Sequence, residues 1–409
     1  MRSGKQLYKT TLLAIISFVC MYVVSCKANT GQSSADTAEG SKMDSASRVI
    51  SKRAPEWAAM LKHSSGWIGA DGIYALPLDG NESAGRRGKV ESMFWFSDCI
   101  YGTVDHDTLK DGWGMGHNSV AYFTGGEPDP NKIKFYHGSD KKGNVASMFE
   151  PNTPQTKPGD YYWLGSGVFD NAKDSTIYIM AYRIRNIPGL VFPFEEVGTG
   201  IIALPKHSRP PFTDQRQLDA PLYVKDANMQ IGFGTCMLAN TVGAHAPHPD
   251  GYIYVYGVKS PGAQLVVARV KDTEFEDFTK WAFWDGKTWG ADIRKCVGIT
   301  SGVSNEMSVS YMDDGSGRVI ACYQKGSTSS VYLSVGDTPK GPFYPEKKVW
   351  DTPETYDDID FYTYNAKAYP YLSNPHELLI SYNVNAFNFG EKIKIHPYHL
   401  RPRFITVKY

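Results

Sequence analysis

Asp71 and Glu306 stand far apart in the chain, each just ahead of a run of apolar residues, and Asp98 closes a third such run after Phe96-Ser97. Carboxyl groups gathered in one pocket can break a glycosidic bond. One, kept protonated, delivers a proton to the leaving oxygen; the other, ionised, activates water or attacks the anomeric carbon. Asp71 and Glu306 are the candidate pair, and Asp98 would raise the acid's pKa by like-charge repulsion or orient a partner. His117, Asn118, Trp163, His245, Asn365, Lys367 and Arg403 are the candidate substrate-binding residues, offering hydrogen bonds to hydroxyls or, for Trp163, a ring face.

Each candidate has a plainer reading. Asp71 before Gly72 has the chemistry of a turn. His117-Asn118 could satisfy buried backbone, and Trp163 could pack at a seam. Glu306 is harder to explain locally, because a Glu before Met307-Ser308-Val309 has poor turn chemistry and poor strand propensity. His245 and His248 form an H-x-x-H pair, but Pro247 and Pro249 interrupt the backbone and no third ligand is near in sequence. Hydrogen bonding is therefore preferred to metal binding for His245. No metal site and no cofactor is expected, structural calcium being left open. The pair Glu195-Glu196 is read as part of an outer strand and not as catalytic.

The elements that must position these groups repeat. A strand, a tight turn and a returning strand occur five times, with heads at Ala70, Gly165, Gly243, Ser304 and Asn365. Each interval has room for two further strands, which makes a four-stranded sheet per repeat. Sheets repeated around an axis form a β-propeller, so the expected fold is all-β, a five-bladed β-propeller with long loops on one face. Polar residues heading the innermost strands would then converge on the axis, with Arg401 and Arg403 within reach. The final run, Arg401 to Val407, alternates well and is expected to close the ring by pairing with first-blade strands.

Composition narrows the partners. Lys plus Arg and Asp plus Glu both number 43, so no basic excess recruits nucleic acid. The 26 tyrosines and 9 tryptophans suit strands first and carbohydrate grooves second. At the N-terminus, Arg2, Lys5 and Lys9 precede an apolar run from Leu12 to Val24, too short for a comfortable membrane span. Val23-Val24-Ser25-Cys26 matches a bacterial lipobox. The expected organisation is a lipoprotein signal peptide over residues 1–26 with Cys26 lipidated, a flexible tether over 27–54, and the propeller over 55–409. That places the body at the bacterial cell envelope, held to the membrane by the lipid, with Lys27 favouring the outer membrane. Pro55 to Leu61 is expected to be a short helix. Cys99, Cys236, Cys296 and Cys322 could pair in three ways, yet their apolar neighbours favour buried thiols.

The order Gly69-Ala70-Asp71-Gly72, Phe96-Ser97-Asp98, Ser304-Asn305-Glu306-Met307-Ser308, Tyr364-Asn365-Ala366-Lys367 and Arg401-Pro402-Arg403-Phe404 resembles a family of secreted bacterial five-bladed propellers. That family was long catalogued as a domain of unknown function, and some of its members are assigned as endo-D-arabinanases. More broadly the chain is similar to propeller glycoside hydrolases acting on furanosides. The resemblance implies hydrolysis of a polysaccharide or oligosaccharide by carboxylates at an axial pocket. Two other classes remain: a surface lipoprotein that binds glycans without cleaving them, and a protein-binding scaffold.

Overall fold

The structure, a computed structural model, describes residues 49–172, 175–189, 193–326 and 328–409. Cys26 and most of the 27–54 segment lie outside the described residues. The described chain is predominantly β, built on five antiparallel sheets that follow one another in sequence. The first contains Tyr74–Pro77, Ser92–Phe96, Ser119–Phe123 and Ile133–Tyr136; the second contains Tyr161–Asp170, Thr176–Asn186, Phe194–Pro205 and Arg216–Ala220. The third runs from Tyr223–Lys225 through Gln230–Asn240, Tyr252–Ser260 and Gln264–Lys271 to an outer hairpin, Ala282–Trp284 with Trp289–Gly290. The fourth holds Ser308–Tyr311, Val319–Gln324, Ser330–Gly336 and Phe343–Asp351. The fifth holds Phe361–Ala368, Glu377–Ala386, Arg403–Lys408 and, at its edge, Ile50–Arg53.

Successive residues of a strand point to opposite faces, so a sheet packed on both sides needs apolar side chains at every position. Ser92–Phe96 is buried throughout and shows how that works. Met93 and Trp95 pack with Leu164 and Ile179 of the second sheet. Phe94 and Phe96 pack the other way, with Leu379 and Phe404 of the fifth. The pattern continues: Tyr178 and Met180 meet Phe233 and Val255 of the third sheet, and Tyr254 and Tyr256 meet Val309 and Ala321 of the fourth. The fourth joins the fifth through Gln324, whose amide donates to the Thr363 carbonyl at 2.9 Å, and through Ser308, whose hydroxyl accepts from the Ala368 N–H at 2.8 Å. Each sheet therefore packs against the next, and the fifth against the first.

The N-terminal helix Pro55–Met60 forms where expected. It turns Trp57 onto Phe123 of the first sheet and Phe404 of the fifth, with ring centroids 6.0 and 6.1 Å apart. Two expectations need correction. Residues 50–53, assigned to the tether, form a strand whose Ile50 pairs with Lys408 and Arg53 with Ile405. The final run does not pair with first-sheet strands either; Arg403–Lys408 lies between Glu377–Ala386 and Ile50–Arg53. The physical reason is shared: the fifth sheet has only three strands from its own repeat, and the N-terminal segment covers the edge that would otherwise be open. A small additional sheet combines Ser65–Ala70, which precedes the first strand of the first sheet, with Cys99–Asp105, Thr108–Leu109 and Gly114–Gly116, which lie between its second and third strands. The four cysteines are buried and unbridged, and burial pushes the thiols of Cys99, Cys236 and Cys296 up to about 12.

Candidate functional site

One strand of each sheet, Tyr74–Pro77, Tyr161–Asp170, Gln230–Asn240, Ser308–Tyr311 and Phe361–Ala368, lies beside its counterpart in the next sheet, and several of the expected residues lie on or close to these strands. Three of these strands, Tyr161–Asp170, Gln230–Asn240 and Phe361–Ala368, slip register near the same level, between Leu164 and Gly167, Phe233 and Cys236, and Tyr364 and Lys367. Such bulges re-aim side chains beside functional sites. Asn365 sits in the last of them with φ +59.

Asp71 follows Ser65–Ala70 and precedes Tyr74–Pro77, held by backbone bonds: its N–H donates to the Asp98 carbonyl at 3.2 Å and its carbonyl accepts from Ser97 N–H at 2.9 Å. The turn depends on Gly72, at φ +58, where an added Cβ would lie 2.5 Å from Ser97 Oγ. Gly72→Ala is expected to cost about 1–3 kcal/mol through left-handed strain and that clash. A lowered Tm would register it.

Tyr364 donates its hydroxyl to Asp71 Oδ2 at 2.6 Å and receives the Asn385 amide at 3.2 Å. Burial raises the Asp71 pKa well above the usual carboxylate range; the charges of Asp98 and Glu306 push in the same direction, while Tyr364 and Lys367 oppose them. Asp98 in turn is fixed from two sides. Its Oδ1 accepts from His117 Nδ1 and from Trp163 Nε1, both at 2.9 Å. The His117 ring stacks on Tyr161 at 3.7 Å, and Trp163 packs edge-on against Phe194.

Glu306 enters from the fourth sheet, just before Ser308–Tyr311, its carbonyl accepting from Ser304 Oγ at 2.6 Å. Its carboxylate is paired with the Lys367 ammonium, which also lies 4.3 Å above the Tyr74 ring. Burial lowers the Lys367 pKa, and the Glu306 charge opposes that shift. The Tyr182 phenol lies close enough for the charges of Glu306 and Glu196 to add to the rise that burial causes. Below these groups a narrow cavity of about 40 Å³ runs among Tyr74, Ser166, Ser308, Lys367 and Tyr369.

The structure thus brings together Asp71, Asp98, His117, Trp163, Glu306, Asn365 and Lys367, and it changes what four of the substrate-binding assignments mean. Lys367 is 1% exposed and committed to Glu306, so it holds the carboxylate instead of meeting a ligand. Asn118 is fully buried; its amide donates to the Phe149 and Tyr162 carbonyls at 2.9 and 3.0 Å and its oxygen accepts from Phe149 N–H at 2.7 Å, which ties two sheets together. Arg403 lies two strands away from the leading strand of its sheet, bonded to the Arg401 carbonyl and 3.7 Å from Glu354. His245 lies past the far end of Gln230–Asn240, lining a cavity of about 200 Å³ with Glu82, Tyr311 and Asp313 that adjoins the narrow one and shares Glu82, Met237 and Val309 with it.

Tyr364 and Glu82 were passed over in the sequence, and Glu196 was set aside as an outer-strand residue. Tyr364 stands beside Asn365 in the same motif, but nothing distinguished it among so many strand tyrosines. Glu82 and Glu196 carry raised pKa values, about 7 and about 8, both through burial. Their only sequence signal is an acid in or beside an aromatic-rich repeat.

Residues 55–409 match the family model described as Domain of unknown function (DUF5005). The chain belongs to that family. No curated protein matches this DUF5005 chain. Among solved structures, it is similar to a Bacteroides ovatus protein described as a candidate hydrolase, at 18% identity over 88% of this chain and 90% of that one, with a TM-score of 0.67. The likeness is one of fold. Looser overlaps occur with the GH43_1 enzyme from Xanthomonas citri, at 13% identity over 86% and 92% of the two chains and a TM-score of 0.42, and with a family 117 glycoside hydrolase from Zobellia galactanivorans, at 11% identity over 85% and 91% and a TM-score of 0.39.

Proposed function

We propose that this protein is a glycoside hydrolase on a five-bladed β-propeller, acting on a furanoside-containing polysaccharide of D-arabinan type. The observation that carries the reading is the buried Asp71 carboxyl, which accepts a hydrogen bond from the Tyr364 hydroxyl at 2.6 Å and whose pKa is raised by burial and by the charges of Asp98 and Glu306. A carboxyl with a raised pKa suits the part of the acid. Asp71 is the acid that protonates the leaving oxygen. Glu306, held in place by its pairing with Lys367, activates water or attacks the anomeric carbon. Asp98 acts on Asp71 through its charge, while its bonds from His117 and Trp163 fix its position. His117 and Asn365 bind hydroxyls. The ring of packed sheets supports the propeller reading, and the 1–26 sequence supports attachment to the outer membrane through lipid on Cys26.

The test is incubation of the purified protein with arabinans and other furanoside-containing polysaccharides, following reducing ends. Release of sugars on at least one of them is the expected result; a full panel without release rejects hydrolysis. A second reading, a glycan-binding surface lipoprotein without turnover, is favoured by one observation. The Lys367 ammonium occupies a Glu306 oxygen that a base would need. Binding without release would select it.

A further inference from the structure

Beside Asp71 the fifth sheet carries a row of aromatic rings leading outward. Tyr364, whose hydroxyl contacts Asp71, lies 5.4 Å from the Tyr362 ring, and Tyr362 lies 4.8 Å from Phe387, measured between centroids. The alternation of the Phe361–Ala368 strand puts Tyr362 and Tyr364 on one face, and Phe387 follows directly after the paired strand Glu377–Ala386. Phe387 is 61% exposed, a large ring left in water at the end of a track whose inner members are partly buried. Its backbone is not loose: the Phe387 N–H donates to the Asp360 carbonyl at 3.0 Å. Ile359, next in sequence to Asp360, is 93% exposed. Asp71 electrostatics reach along this row, since its charge contributes to the raised Tyr362 pKa.

Isolated exposed apolar residues need no explanation, but a connected run starting at a candidate acid is different. Rings that present a face and keep few rotatable bonds bind the apolar face of a sugar at small entropic cost, and their neighbours' hydroxyls supply direction. We infer that Tyr362 and Phe387 form a binding track for the sugar rings of a polysaccharide chain that extends beyond the bond held at Asp71. The occupant is a chain of several sugars, since the track leads from the acid to open surface. The inference rests on the carbohydrate reading of the same site but not on turnover.

Affinity electrophoresis separates the two. Asp71→Asn protein is run through gels containing soluble arabinan, xylan or galactan, alone and combined with Phe387→Ala or Phe387→Tyr. Tyr344→Ala serves as control, Tyr344 being 68% exposed on the outer strand of the fourth sheet. Retardation by at least one polysaccharide is expected, weakened roughly three- to tenfold by Phe387→Ala, restored by Phe387→Tyr and unaffected by Tyr344→Ala. Equal retardation of the Phe387→Ala protein overturns the track, and so does the absence of retardation by every polysaccharide. If retardation follows the ring at position 387 while the unaltered protein releases no reducing ends, the track stands and hydrolysis falls.

Discussion

Asp71→Asn is expected to lower kcat on the responsive polysaccharide by about 10²–10⁴-fold, the usual contribution of a positioned general acid. Asn keeps the shape and can still accept the Tyr364 hydrogen bond, so the fold should survive while the proton is lost. The pH dependence sharpens the test. Because the folded pKa of Asp71 is raised, mostly by burial, its proton is retained above the ordinary carboxylate range and lost only as pH rises through the elevated value. Activity of the unaltered protein should therefore fall on that basic limb. Residual activity of the variant should show no such limb. Stability follows by linkage: once pH passes the ordinary carboxylate range the unfolded chain ionises while folded Asp71 keeps its proton, so the native state loses stability progressively up to the raised pKa and no further. The variant, which carries no such proton, should lose less Tm over that range. A variant within a few-fold of normal activity, or with an unchanged pH profile, would remove Asp71 from the mechanism.

The second large effect concerns Lys367. Replacing it with Met strands the Glu306 carboxylate at a site where the two side chains are only 2% and 12% exposed, and breaking a buried pair from one side costs about 3–5 kcal/mol. Lys367→Met combined with Glu306→Gln removes both charges and should recover most of that loss, because the penalty lies in the unpaired ion and not in the missing attraction. Chemical unfolding of the two single variants and the double variant measures this directly. A single Lys367→Met protein less than about 1 kcal/mol below normal would mean that water reaches Glu306 and that the pair is not closed off.

What could be read from the sequence follows period and turn chemistry. Ser92–Phe96 and Val319–Gln324 alternate or run apolar between Gly and Asp turns, and they form strands where expected. Asp71, Asp98 and Glu306 were legible as acids beside strands, and the charges of Asp98 and Glu306 both act on Asp71. The failures share a cause. Asn118, Lys367 and Arg403 carry hydrogen-bonding groups that suit a ligand and an interior equally well, and only three-dimensional neighbours decide which they meet. His245 failed differently: it heads nothing, lying beyond the end of its strand, so a repeat aligned on turn signals put it at the wrong end. Ile50–Arg53 escaped because a short edge strand of mixed polarity has no period long enough to notice.

That edge strand gives the molecule a timetable. Synthesised first among the described elements, Ile50–Arg53 finds its strand partner in Arg403–Lys408, the last of them. The seam therefore cannot be sealed until Arg403–Lys408 has been made, and a product lacking that strand would keep an unzipped margin open to proteases. Because Ile50 and Lys408 are neighbours, a short peptide joining the ends, with new termini cut into an outer loop such as that at Gly262, should yield a circularly permuted protein that still assembles.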